Sequence, residues 1–124
     1  MSPAIRSTDR TALEEATSAA RHLAVIRRAI TSDRTVAEIL GVAPSQITRW
    51  RKGQTPDPFN ADRLAGLALV VEILLRWLPA EIVEDWMLGA NEHLQGRTPA
   101  YLVRQGQLAE VLGSVEAMKA GVFA

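Results

Sequence analysis

No cysteine occurs in the 124 residues, which excludes a disulfide framework and any thiolate metal site. Histidine is almost as scarce. His22 and His93 stand alone and far apart, with no ligand spacing around either, so no metal or other cofactor is expected. There is no glycine-rich phosphate loop, no carboxylate pair beside a histidine and no thiol nucleophile, and catalysis is therefore not expected. Glu81, Glu84 and Asp85 are the nearest thing to a carboxylate cluster, and their spacing reads as the outer face of a helix. The amino-terminal stretch lacks the continuous apolar core of a secretory signal. The longest apolar run, Leu64 to Leu78, is interrupted by Glu72 and Arg76 and is too short to span a bilayer. A cytoplasmic protein without a membrane role is the expectation.

Acidic residues are also missing from one particular stretch. None lies between Glu38 and Asp57, where Arg49, Arg51 and Lys52 cluster. The net charge is zero, yet residues 1–60 hold nine basic and six acidic side chains, and residues 61–124 five and eight. A basic first half suits a polyanionic partner, and an acidic second half suits a different one.

What is present reads as helix from end to end, an all-α chain. Apolar residues 48% and charged residues 23% suffice for a core and a solvated surface. Leu13, Ala16, Ala20, Leu23, Ile26 and Ile30 fall three or four apart and predict a first amphipathic helix. Ser32 offers an N-cap for a short second helix carrying Val36, Ala37, Ile39 and Leu40. Gly41 stops it. Pro44 suits the first position of a third helix, and Gly53 suits its left-handed end. QTPDPFN then marks an elbow, which divides the chain into residues 1–57 and residues 58–124. Leu64 to Leu78 predicts a helix apolar on nearly every side, with Glu72 and Arg76 one turn apart and able to pair. Such a helix must be covered by the C-terminal helices, by a second copy of the chain, or by both, and a dimer is expected. Pro79 ends it, and AEIVEDWML starts another with Ile82, Val83, Trp86 and Met87 at helical spacing. Thr98 is placed to cap a helix opening at Pro99, with Gly96 and Gly106 as flanking turns and Leu102 and Tyr101 facing inward.

TVAEILGVAPSQITRWRKG resembles the helix-turn-helix of the Cro and phage-repressor (Xre-like) family. Ala37 is the small residue at the helix crossing, Gly41 takes the turn, Val42 fills the gap between the helices, and Ile47 and Trp50 face the core. Ser45, Gln46, Thr48, Arg49, Arg51 and Lys52 are left on the exposed side. In that family the second helix enters the major groove, so the resemblance implies Gln46 and Arg49 at base edges, Ser45 and Thr48 as lesser contacts, and Arg51 and Lys52 on the phosphate backbone. The competing reading is a solvated polar helix without a ligand. Trp50 is read as core rather than as a base-stacking group.

WMLGANEHLQGRTPAYLVRQG resembles the C-terminal toxin-binding domain of antitoxins of the Xre/MbcA/ParS type. The match lies in Trp86, Asn91, Leu94, Gly96, Thr98, Pro99, Leu102 and Gly106, followed by a helix with Leu108, Val111, Leu112 and Val115 and by Gly121. Gly89-Ala90 stand where the family often has a proline. The two resemblances together cover about residues 20–124. They imply an antitoxin of a type II system that neutralises a RES-domain, NAD-degrading toxin by direct binding and represses its own operon through operator DNA. The implied toxin contacts are Asn91, Arg97 and Thr98, for which a turn-stabilising role is the alternative, and the tail Gly121, Val122, Phe123 and Ala124. Gly121 permits a sharp exit from the last helix, after which Phe123 either inserts into the toxin or folds back. The alternative for the whole chain is a stand-alone helix-turn-helix repressor whose second half only dimerises.

Overall fold

The computed structural model describes residues 7–122, with only the backbone given for Ser7, Thr8, Asp9, Ala12 and Val122. Among them the order is α1 (Ser7–Arg27), α2 (Asp33–Leu40), α3 (Pro44–Arg51), α4 (Pro58–Leu74), α5 (Ala80–Leu88), a 3-10 turn (Glu92–Leu94), α6 (Pro99–Arg104) and α7 (Leu108–Val122), with no strand. The expected helical class holds.

Local chemistry accounts for the boundaries. Ser32 accepts a hydrogen bond from the Thr35 backbone N–H and opens α2, satisfying one of the donors that every helix start leaves over. At its end Gly41 adopts φ 73°. Its N–H and that of Val42 reach back to the Glu38 and Ala37 carbonyls at 3.3 and 2.9 Å, the double bond of a Schellman turn. The exposed Arg104 guanidinium lies over Gly41; the positive φ is what favours glycine there. Asp57 caps α4 through the Asn60 N–H, and Pro58 and Pro99 take first-turn positions in α4 and α6.

α1 lies along α4, and α3 packs on both α1 and α2. α6 is set against α2, α4, α5 and α7. The buried cluster is continuous across the 57/58 elbow. Leu23, Ile26, Ile47 and Trp50 belong to the same core as Leu67, Val71, Met87, Leu102 and Val111.

Four packing details differ from the sequence expectation. The stripe on α1 that is buried runs Ala16, Ala19, Leu23, Ile26, Ile30. Leu13 lies about 100° round the helix from its centre and is 59% exposed, and Ala20 is only half buried. α4 ends at Leu74, so Arg76 stands in the following turn and no Glu72–Arg76 pair forms among the described ion pairs. Ile82 and Tyr101 point outward: α5 buries only Val83 and Met87, and α6 buries Pro99, Ala100, Leu102 and Val103, which leaves Tyr101 on its open side. α7 continues through Gly121 to Val122; glycine permits a helix exit without requiring one.

Candidate functional site

α3 is eight residues long and keeps two side chains for the core, Ile47 and Trp50. One helical face is thereby fixed inward and the other is set free. Ser45, Thr48, Arg49, Arg51 and Lys52 are exposed, and Gln46 is half buried. Arg49 donates from Nη1 to Oε1 of Gln46 at 3.0 Å, which holds the two side chains proposed for base edges next to each other. The Thr48 hydroxyl turns back to the Pro44 carbonyl at 3.5 Å. Lys52 follows the last turn of α3, and its ammonium has no ion-pair partner among the described residues.

Arg51 is engaged differently. Its guanidinium grips Asp33 in a fork, Nη1 to Oδ2 at 2.6 Å and Nη2 to Oδ1 at 2.7 Å, while Arg27 donates to Oδ1 from the other side at 3.0 Å. One carboxylate thus ties the end of α1, the start of α2 and the end of α3. The Arg51 hydrogen bonds hold the Asp33 carboxyl down to about 2, with Arg27 adding to the effect, and Asp33 in turn raises the Arg51 guanidinium. This brace was not foreseen, because α2 and α3 meet only after the turn at Gly41 has formed. Arg28 and Arg34, next in sequence to Arg27 and Asp33, are exposed. Their signal was present in the sequence as cations beside Asp33, outside the motif proper.

The second candidate surface is the turn between α5 and α6. Asn91 caps the 3-10 turn by accepting from the His93 N–H at 2.9 Å, and its own backbone bonds to Arg97 and Gly96. Arg97 donates to the Leu94 carbonyl, to Gln95 and to Glu110 of α7 at 2.8, 2.7 and 2.9 Å. Thr98 accepts from the Tyr101 N–H at 3.0 Å and starts α6. These three side chains shape the turn. On one flank lies a groove of about 350 Å³ that Trp86, Asn91, His93 and Met118 help to line. On the other, a groove of about 190 Å³ runs between α2 and α6, with Ile39, Leu88, Tyr101 and Arg104 along it. Leu88, Tyr101 and Arg104 had not been singled out as surface groups; exposed apolar residues inside helical periods carry no distinguishing mark in sequence.

Of the tail, Gly121 is exposed in the last turn of α7. The Val122 side chain, Phe123 and Ala124 lie outside the described residues. No group of His, Asp or Glu among the described residues is arranged to hold a metal, and none of their helices is long and apolar enough to cross a membrane.

No protein-family model matches the chain. The mycobacterial cidal antitoxin MbcA of Mycobacterium tuberculosis is 39% identical over 89 residues, spanning 71% of this chain and 79% of that protein. MbcA of Mycobacterium bovis matches to the same extent. In three dimensions the chain is similar to one from the crystal structure of the M. tuberculosis MbcT–MbcA toxin–antitoxin complex, with a TM-score of 0.74, 36% identity, and coverage of 86% of this chain and 96% of that one.

Proposed function

Since the chain belongs to the family of the mycobacterial cidal antitoxin MbcA, we propose that it is the antitoxin of a type II toxin–antitoxin pair and acts by binding rather than by catalysis. The observation that carries this reading is the fold-wide likeness, at 36% identity, to a chain of a toxin–antitoxin complex. The toxin is a RES-domain protein that degrades NAD, as the resemblance of the C-terminal segment implies. Residues 58–124 provide the toxin-binding unit, through the turn of Asn91, Arg97 and Thr98 and the tail of Gly121, Val122, Phe123 and Ala124. Residues 1–57 provide operator binding and autorepression, supported by the exposed face of Ser45, Gln46, Thr48, Arg49 and Lys52. Arg51, held by Asp33, meets the phosphate backbone as part of the brace. The antitoxin works as a homodimer in the cytoplasm.

The test is growth rescue of cells expressing the protein encoded beside this chain. The full chain should restore growth and NAD levels. A chain lacking residues 121–124 should keep its helical circular dichroism and its operator binding but lose rescue. Full rescue by the truncated chain would move the inhibitory contact to the Asn91–Thr98 turn. A neighbour that is harmless on its own would favour the stand-alone repressor.

A further inference from the structure

We infer that Asp33 sets the specificity of the α3 surface for DNA. By holding Arg51 and Arg27 it limits what the two arginines give to any sugar–phosphate backbone, and it leaves discrimination to the side chains that meet base edges. This rests on the operator binding proposed above and goes beyond it by giving the acid of the brace a role in recognition.

The position of Arg51 comes first. At 100° per residue, it falls on α3 between the buried Ile47 and the exposed Thr48, on the flank of the helix rather than at the centre of its open side. A helix laid in the major groove turns its open side to base edges and its flanks to the phosphates along the groove walls. A free guanidinium on that flank would bind backbone of any sequence.

It is not free. Both terminal nitrogens of Arg51 are spent on the two Asp33 oxygens, at 2.6 and 2.7 Å, and Arg27 is drawn to the same carboxylate at 3.0 Å. The Asp33 side chain is 24% exposed, against 36% for Arg51 and 45% for Arg27, so the acid is the most covered of the three. Two cations and one anion leave the cluster a single net positive charge. On the open side of α3, by contrast, neither Arg49 nor Lys52 has an ion pair among the described residues. A brace that only fastened α2 to α3 would predict weaker DNA binding once it is cut; a brace that withholds charge predicts tighter and less selective binding.

Fluorescence anisotropy over a range of salt tests this with two duplexes, the promoter region of the chain's own operon and a scrambled duplex of the same composition. Circular dichroism confirms helix content in each variant. Asp33→Asn should bind the scrambled duplex up to about eightfold more tightly at about 0.1 M salt, with a salt slope steeper by roughly 0.9. It should gain less on the promoter duplex, where base contacts already fix the register. Adding Arg51→Gln to Asp33→Asn should return scrambled-duplex binding to the wild-type level. Glu81→Gln, the same charge change on the exposed side of α5, should leave it there. Unchanged or weaker binding by Asp33→Asn would overturn the inference, as would an equal gain on both duplexes or a gain that survives Arg51→Gln. A wild type that binds neither duplex, or both alike, would overturn the operator binding itself and this inference with it.

Discussion

α3 and the turn from Asn91 to Thr98 are both short, both polar and both set between helices, yet they spend their polar groups in opposite ways. In α3 the two core residues secure the helix, and Ser45 and Lys52 have no side-chain bond described within the chain, while Arg49 bonds only to its neighbour Gln46. In the turn, Asn91, Arg97 and Thr98 are all committed to bonds that make the turn. Polar residues left over after folding are available to a ligand. Polar residues consumed by folding contribute to recognition chiefly through the shape they hold. On this reasoning α3 presents chemistry, and the turn presents a rigid contour flanked by two grooves.

The largest expected effect breaks both regions at once. Trp50 is fully buried in the core shared by the two halves, so Trp50→Ala should cost about 3–5 kcal/mol. Urea titration followed by circular dichroism should show one transition moving to lower denaturant. A second transition that stays in place would mean that the halves unfold separately.

The next effect separates the two regions. Arg49→Ala should leave stability within about 0.5 kcal/mol and weaken operator binding by about 1–3 kcal/mol with relaxed preference at one base pair. Lys52→Ala should weaken all DNA sequences alike and shallow the salt dependence. Thr98→Ala should do the reverse of Arg49→Ala, costing roughly 0.5–2 kcal/mol of stability through the lost cap without touching DNA affinity. Gel-shift and melting data in which Arg49 and Thr98 exchange these roles would refute the distinction.

The smallest effect concerns the brace under α3. The Asp33 carboxyl is depressed in the folded chain to about 2, so its contribution is complete above the ordinary carboxylate pKa and is lost as pH falls from there through the folded value. Partly exposed pairs of this kind are worth roughly 0.2–1 kcal/mol. Asp33→Asn should therefore be less stable than wild type at neutral pH by that amount, with the gap closing between about pH 4 and pH 2. A gap that widens on acidification would show that the ion pairs do not stabilise the fold.

Much of this was legible in the amino-acid order because it depends on near neighbours. Caps, turns and periods act within about four residues, so Ser32, Gly41, Pro44, Gly53, Thr98 and Pro99 mark boundaries that the structure keeps. Ile47 and Trp50 are three apart and take the inner face of α3 for the same reason. The resemblance of the two motifs to known families pointed to the family of MbcA, to which the chain belongs. Only the tertiary structure decided which side of a long apolar helix stays open, because α1, α6 and α7 arrive on α4 from distant parts of the chain and leave Leu69 at the surface. It alone decided that Arg51 faces Asp33, eighteen positions away, and that Leu13 lies outside. Local chemistry sets where a helix begins and ends; which of its faces is buried depends on neighbours that sequence spacing does not specify.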